Sequence, residues 1–471
     1  MNKVFIFIAL IIFCSVIYAQ TEDWVWAKQT GGTGSDYGKA IASDASGNNY
    51  VTGYFAGTAT FGSTSLTSSG GYDIFITKLD TNGNYLWAKQ AGGISSDCAQ
   101  GISTDSSGNS YATGYFYGTA TFGTTTLTSS GNSDIFIAKL DTNGNYLWAN
   151  KAGGISSDCA QGISTDSSGN NYVMGYFAGT ATFGTTTLTS SGSNDIFIAK
   201  LDTNGNYLWA KKAGGTSDDM GNGICTDSSG NSYVTGYFYG TTTFGSTSLS
   251  SSGSEDIFIA KLDTNGNYLW AKKAGGTSSD YGYGISTDSS GNSYVTGYFA
   301  GTATFGSASL TSSGSADIFI AKLDTNGNYL WAKKAGGTYD DIGFGISTDS
   351  SGNSYVTGSF NVTATFGSTT LISSGSADIF IAKLDTNGNY LWVTKAGGTS
   401  SDYGYGISTD SSGNSYVTGN FRGTATFGST SLSSSGSADI FITKIGTPVY
   451  NVIAPNGGEM WQSTTTMTVF W

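Results

Sequence analysis

Seven tryptophans, Trp26, Trp87, Trp148, Trp209, Trp270, Trp331 and Trp392, stand 61 residues apart with no insertion or deletion between them. A second series keeps the same step: Asp73, Asp134, Asp195, Asp256, Asp317, Asp378 and Asp439 each open a D-I-F-I segment. A fixed period of this length means one supersecondary unit repeated until its neighbours bury its apolar face. The unit is read most easily from Gly284 to Trp331. "GISTD" is a short apolar-rich strand, and "SSGN" is a turn. "SYVTGYF" alternates β-branched and aromatic residues as a second strand does. A longer Ser/Thr-rich stretch, residues 300–316, is expected to be a connecting loop. "DIFIAKLD" is a third strand, and "TNGN" holds Asn-Gly, the favoured two-residue hairpin dipeptide. "YLWAKKAGG" is the fourth. Four antiparallel strands per unit make a propeller blade. The expected fold is all-β, a seven-bladed β-propeller over residues 20–446.

The ends of the array bear on closure. The last unit has its first three strands, but Thr447-Pro448 stands in place of the hairpin and Ile453 where Trp is due. The missing fourth strand lies at the other end, in Trp24–Gln29. It is expected to pair into the last blade and close the ring, removing an exposed sheet edge. The core is expected from Ile285, Tyr294, Val295, Phe299, Ile318, Phe319, Ile320, Leu330, Trp331 and their equivalents.

Composition narrows the function. Seventy glycines, two prolines and 11% charged residues do not suit a helical protein, and 14% aromatics are too many for a disordered one. The net charge of −13 repels a phosphate backbone, so no nucleic-acid partner is expected. There is no histidine, which removes Ser-His-Asp, Cys-His and His-zinc chemistry. Residues 1–19 read as a signal peptide: Lys3, an apolar run from Val4 to Phe13, and small residues ending near Ala19. The run is too short for a stable span, and Cys14 lacks the small residues that precede a lipidated cysteine. A secreted or cell-envelope location and no membrane span after signal removal are therefore expected. Cys98, Cys159 and Cys225 are odd in number and occupy positions where other repeats carry Tyr, Met, Ile or Ser, so no disulfide framework is expected.

The pattern G-I-x-x-D-x-x-G-N-x-Y-V-x-G, then D-I-F-I-A-K-L and L-W-A-K-x-x-G-G, resembles the bacterial β-propeller repeat known as the SBBP repeat, over about residues 24–446. The resemblance implies a seven-bladed propeller in envelope or extracellular proteins, with no agreed catalytic residues to carry over. Residues 447–471, with "PNGGEMW", resemble the opening of an extracellular Ig-like module. Such a sandwich needs about 100 residues, so a linker and a truncated module are expected there.

One face of the ring carries near-identical "DSSGN" and "DTNGN" turns, whereas the other varies among the copies. Following the second-strand Phe come Ala56, Tyr117, Ala178, Tyr239, Ala300, Asn361 and Arg422; preceding the first strand come Lys39, Gln100, Gln161, Asn222, Tyr283, Phe344 and Tyr405. A ligand would use this variable face. Tyr117, Tyr239, Tyr283, Phe344, Tyr405 and Arg422 are its expected contacts. The same crossovers carry Asp36, Asp97, Asp158, Asp219, Asp280, Asp341 and Asp402. Facing an axial channel, these carboxylates would repel one another unless a cation such as Ca2+ sat among them. The other reading has each Asp accept hydrogen bonds from its own loop amides. "DTNGN" resembles the start of an EF-hand loop, but Ala91 stands where the bidentate Glu would be needed. The Asp before I-F-I and the Lys of A-K-L are expected to order loops or form surface pairs.

The expected function is a non-catalytic binding module for an extracellular glycan or protein, without cofactor, built as a monomeric propeller within a larger chain. The alternative is a structural spacer of a surface protein. A carboxylate-pair glycosidase ranks last, because nearly every Asp belongs to a repeated set whereas an active site breaks symmetry.

Overall fold

The structure, a computed structural model, describes residues 23–446. The signal segment expected at 1–19 and the Ig-like start expected at 447–471 lie outside the described residues. Within them every regular element is a β-strand, and all paired strands are antiparallel. No helix there is long and apolar enough to cross a membrane. Each unit begins with a short first strand, in order Tyr37–Ser43, Cys98–Thr104, Cys159–Thr165, Asp219–Thr226, Tyr281–Thr287, Ile342–Thr348 and Tyr403–Thr409. The unit read from sequence continues through Ser293–Phe305 and Ala308–Leu323 to an outer strand, Tyr329–Gly336.

The first strands pack side by side in sequence order. Thr287 Oγ1 donates to Thr226 O, Thr348 Oγ1 to Thr287 O, and Thr409 Oγ1 to Thr348 O, at 2.8–3.1 Å. The series returns on itself, because Ser43 N donates to Ser408 Oγ at 3.1 Å. The chain start also meets the last unit. Asp23–Gly32 pairs antiparallel with Asp439–Gly446, from Asp23 opposite Gly446 to Thr30 opposite Ile440. Apolar packing follows the same path, with Tyr416, Ile440 and Ile442 of the last unit in one cluster with Ile41, Val51, Phe55 and Phe75 of the first. The arrangement is a β-propeller.

The Ser/Thr-rich stretch is not a loop. The second and third strands run on past the blade as a hairpin, with Thr302 opposite Thr311 and Phe305 opposite Ala308. Its apolar positions are sparse but regular: Ala303 and Phe305 are buried, whereas the threonines between them face water. The outer strand of the preceding unit pairs onto this hairpin, Gly275 opposite Thr304 and Gly276 opposite Ala303. Consecutive units are thereby joined through their sheets as well as through their cores.

Most of the expected core is buried, but Leu330 is 54% exposed and its equivalents at 86, 147, 208, 269 and 391 are similarly exposed. The outer strand has one face against the blade interface and the other in water, and alternation puts Leu330 outward. The tryptophans are half-buried. Trp270 packs against the core and donates from Nε1 to Thr325 O of the next unit's hairpin turn at 3.0 Å. Gly297 shows how tightly the strands approach. A Cβ there would stand 1.9 Å from Tyr281 O and 2.8 Å from the Phe319 ring. Gly297→Ala is expected to cost about 3 kcal/mol through overpacking, read as a lowered urea midpoint at unchanged m. An unchanged midpoint would mean that the strands have room for the methyl group.

Candidate functional site

The expectation that Lys39, Gln100, Gln161, Asn222, Tyr283, Phe344 and Tyr405 precede the first strand is corrected. Each lies inside it, at a β-bulge. Gly282 pairs with Gly297 and Gly284 with Thr296, which leaves Tyr283 as the extra residue. The register slips at the same place in the other first strands, between Gly38 and Ala40, Ala99 and Gly101, Ala160 and Gly162, Gly221 and Gly223, Gly343 and Gly345, and Gly404 and Gly406. A bulge unpairs one residue and re-aims its side chain. Here it does so at the one position of the first strand where the copies differ most.

The bulge residues form two arcs. Tyr283 and Phe344 have ring centroids 5.4 Å apart, Phe344 and Tyr405 5.1 Å, and Lys39 Nζ lies 4.0 Å from the Tyr405 ring centre. These four side chains come from consecutive units and touch in sequence. Further tyrosines extend the arc. Tyr281 and Tyr403 stack nearly parallel to Tyr283 and Tyr405, Tyr237 meets Tyr281 edge-on at 4.1 Å, and Tyr37 and Tyr72 flank Tyr54. The other arc is carboxamide. Asn222 Nδ2 donates to Gly282 O at 2.9 Å, and Gln161 Nε2 lies 3.6 Å from Cys159 Sγ. Burial lowers the Lys39 ammonium to a pKa of about 8. It pushes the Tyr405 phenol up, an effect the nearby Arg422 opposes.

Of the expected contacts, the fold thus brings together Tyr283, Phe344 and Tyr405, whereas Arg422 is exposed with its backbone amide held by Asp402. Tyr117 is 38% exposed and packs edge-on against Tyr115 at 5.9 Å, and Tyr239 is 46% exposed. Neither makes a ring contact with the Tyr283–Phe344–Tyr405 arc. Lys39 and the flanking tyrosines were absent from the expected set. The signal was present as the glycine-flanked triplets Gly282-Tyr283-Gly284, Gly343-Phe344-Gly345 and Gly404-Tyr405-Gly406, since glycine inside a strand pattern marks a bulge.

The crossover aspartates do not face an open channel. Asp36, Asp97, Asp158, Asp219, Asp280, Asp341 and Asp402 are all fully buried. In Asp280, Oδ2 accepts Gly276 N–H at 2.7 Å and Oδ1 accepts Ala300 N–H at 3.0 Å, tying the crossover to the hairpin. The geometry is that of the loop-amide reading, and no group of three or more His, Cys, Asp or Glu among the described residues is placed to hold a metal. Beside each crossover Asp lies the Asp of D-I-F-I, also fully buried rather than at the surface. Asp256 Oδ2 takes Lys273 Nζ at 3.2 Å, whereas its Oδ1 has no partner; the same oxygen is unpartnered in Asp73, Asp134, Asp195, Asp317, Asp378 and Asp439. Burial, only partly offset by the Gly276 and Ala300 amides and reinforced by Asp256, raises Asp280 to about 7. The other crossover carboxyls are raised to about 6 or 7.

The A-K-L lysines are likewise not surface pairs. Lys322 is 7% exposed, 3.5 Å from Asp288 and over the Tyr294 ring. The "DTNGN" and "DSSGN" aspartates cap their own turns, Asp80 Oδ1 accepting from Asn82 N and Asn84 N. A groove of about 820 Å³ runs between the outer strand at Asn150–Ile155 and the next hairpin at Thr180–Thr185. It recurs at Lys272–Gly275 and Thr304–Ser307, so it belongs to the repeat and not to the bulge ring.

Fold and repeats together define a β-propeller repeat protein. Five segments, residues 86–115, 208–237, 269–298, 330–362 and 391–420, match the family described as SBBP, Beta-propeller repeat. The chain is 26% identical to the uncharacterized WD repeat-containing protein L264 of Acanthamoeba polyphaga mimivirus, over 74% of this chain and 32% of that protein. The chain thus spans about a third of the length of that relative. Similar solved structures include YCF48 bound to D1 peptide, 9% identical, covering 92% of this chain and 97% of that one at a TM-score of 0.43. Sqt1 from Chaetomium thermophilum is 8% identical, covering 90% and 99%, also at 0.43. Quinohemoprotein alcohol dehydrogenase from Comamonas testosteroni is 11% identical, covering 95% and 79%, at 0.43.

Proposed function

We propose that the chain is an exported, seven-bladed, ring-closed propeller that works as a non-catalytic binding module for a glycan or protein, and that its ligand site is the ring of bulge residues. The observation that carries this reading is the break in symmetry. Turns, core and carboxylate pairs repeat almost unchanged around the molecule. At the bulge, three aromatic residues, a lysine and three carboxamides replace one another. The bulge position varies more than any other in the first strand, although the position of Tyr37, Cys98, Cys159, Met220, Tyr281, Ile342 and Tyr403 varies too, and variable side chains held out of the ladder are where a surface ligand is met. The WD-repeat relative favours an interaction role in the same direction.

The test is a binding screen of the full chain against glycans and candidate proteins, repeated with Tyr283→Leu, Phe344→Leu and Tyr405→Leu combined. Each aromatic contact is worth about 1 kcal/mol, so the triple variant is expected to bind roughly 100-fold more weakly. Its Tm should stay near that of the parent. Binding that survives the triple change unaltered would move the ligand off this ring. A chain that binds nothing would fit the spacer role.

A further inference from the structure

We infer that the ligand of the bulge ring is an acidic sugar, a glycan bearing an isolated carboxylate, which Lys39 and Arg422 receive while Tyr405, Phe344 and Tyr283 stack against pyranose faces. The inference rests on the proposed binding role and adds the chemistry of the ligand.

The first argument is the state of Lys39. Several lysines pair directly with carboxylates: Lys78, Lys139 and Lys322 face turn aspartates, and Lys151, Lys273 and Lys395 face the D-I-F-I aspartates, at 3.0–3.8 Å. The half-buried Lys28, Lys89, Lys211, Lys272, Lys333 and Lys444 make no such ion pair but lie in the field of a turn aspartate. Lys39 is half-buried and has no ion pair among the described residues. Its contacts are the faces of Tyr405 at 4.0 Å and Tyr54 at 5.9 Å. A cation withdrawn from water without a counterion is costly, and ring faces repay only about 1–2 kcal/mol of it. The depressed pKa of Lys39 is the same statement in protonation terms. An anion bound at this point would supply the missing partner.

The second argument is what surrounds it. Arg422 is exposed, its backbone amide is fixed by Asp402 Oδ1 at 2.9 Å, and its charge reaches Tyr405. A lysine over the Tyr405 ring and an exposed arginine whose charge is felt by that phenol therefore stand in a chain of net charge −13. No bulge position carries a carboxylate. Glu255, at the far end of the aromatic arc beside Tyr281, is already engaged by the Ser254 and Ser279 hydroxyls at 2.5 and 2.7 Å. The overall negative charge disfavours dense polyanions, so the ligand that fits carries its carboxylates singly. Across the ring the carboxamides offer both donors and acceptors, which suits sugar hydroxyls.

The experiment uses a matched pair of probes, a glucuronate-terminated oligosaccharide and its methyl ester, which differ in one negative charge and one methyl group. The full chain is expected to bind the acid at least about 10-fold more tightly than the ester, the worth of one charge-assisted contact. Lys39→Gln places at this position the residue that the second and third repeats carry there, so the fold accommodates it. It is expected to abolish the preference of acid over ester, and Lys39→Arg is expected to retain it. Equal binding of acid and ester, still weakened by Tyr405→Leu, would overturn the acidic inference and leave the binding role standing. Hexaglutamate bound as tightly as the sugar acid, with the same Lys39 dependence, would overturn the sugar and assign the site to acidic peptides. No binding of the acid at all would overturn the inference outright.

Discussion

Deleting Asp23–Gly32 is expected to unfold the protein at ambient temperature or leave it aggregated. This strand is the outer strand of the last sheet. It pairs with Asp439–Gly446 along its length, and Gln29 Nε2 and Trp26 O hydrogen-bond Asp439 and Thr443. Trp24 meets Phe427 edge-on at 5.7 Å, and Trp26 packs with the first unit's core. Six or so ladder hydrogen bonds at about 1 kcal/mol net each, with two part-buried tryptophans at about 2 kcal/mol each, reach the whole stability of a typical domain. The loss also bares the edge of Asp439–Gly446, an apolar strand that is otherwise fully covered, and such edges pair with other chains. Light scattering and circular dichroism of the deletion variant would show this. A synthetic peptide of residues 23–32 added in trans is expected to recover folded protein by adding the strand back. A deletion variant that keeps a cooperative transition within a few degrees of the parent would mean that the ring holds without this clasp.

Raising the pH from 5 to 8.5 is expected to lower Tm by several degrees. Seven crossover carboxyls have folded pKa values of about 6 or 7, because burial outweighs their amide donors. In the unfolded chain an Asp titrates near 3.9. Between these values the native state binds more protons than the unfolded state, so stability falls as pH rises through the folded pKa. Asp280 Oδ2 and the unpartnered Asp256 Oδ1 both lie within about 3 Å of the point where a Cβ on Gly275 would stand, so the two carboxyls border one crowded spot. At the acid end the sign reverses. At Asp80 and Asp263 a slight burial cost is outweighed by the Asn donors of their own turns, which hold them below the usual carboxylate range. Their contribution is present above about pH 4 and lost as pH falls through the folded pKa. A stability maximum near pH 4–5 follows. Asp280→Asn is expected to remove about one-seventh of the alkaline decline. A Tm that is flat or rising from pH 5 to 8.5 would show that these carboxyls are ionised in the folded protein.

Much of the fold was legible because its signals are local and repeated. The 61-residue step, the D-I-F-I and Y-V-T-G strands and the Asn-Gly hairpins each announce themselves within a few residues, and seven copies average away the ambiguity of any one. The complementary deficit at the two ends announced the pairing of Asp23–Gly32 with the last strand. The Ser/Thr-rich hairpins were not legible as strands, since Phe305 and Leu310 are the only large apolar residues in that stretch and propensity is weak without partners. Leu330 misled for a related reason. An outer strand obeys the alternation of any strand, but whether its second face meets protein or water is settled by the neighbouring unit.

At the candidate site the division is sharper. Sequence alone determined which positions vary among the copies, that Tyr283, Phe344 and Tyr405 are among them, and that histidine-based chemistry is absent. It did not determine that a bulge turns those side chains out of the ladder, nor that Lys39 from the first repeat arrives against Tyr405 from the last. That contact joins residues 366 positions apart. The buried carboxylate pairs are of the same kind: Asp36 and Asp439 lie at opposite ends of the chain yet border one point beside Gly31. Local pattern specifies strands because hydrogen bonding and side-chain alternation act over a few residues. Charge pairing, desolvation and the choice of which face is covered depend on what the packed units bring near, and those were decided only in the tertiary structure.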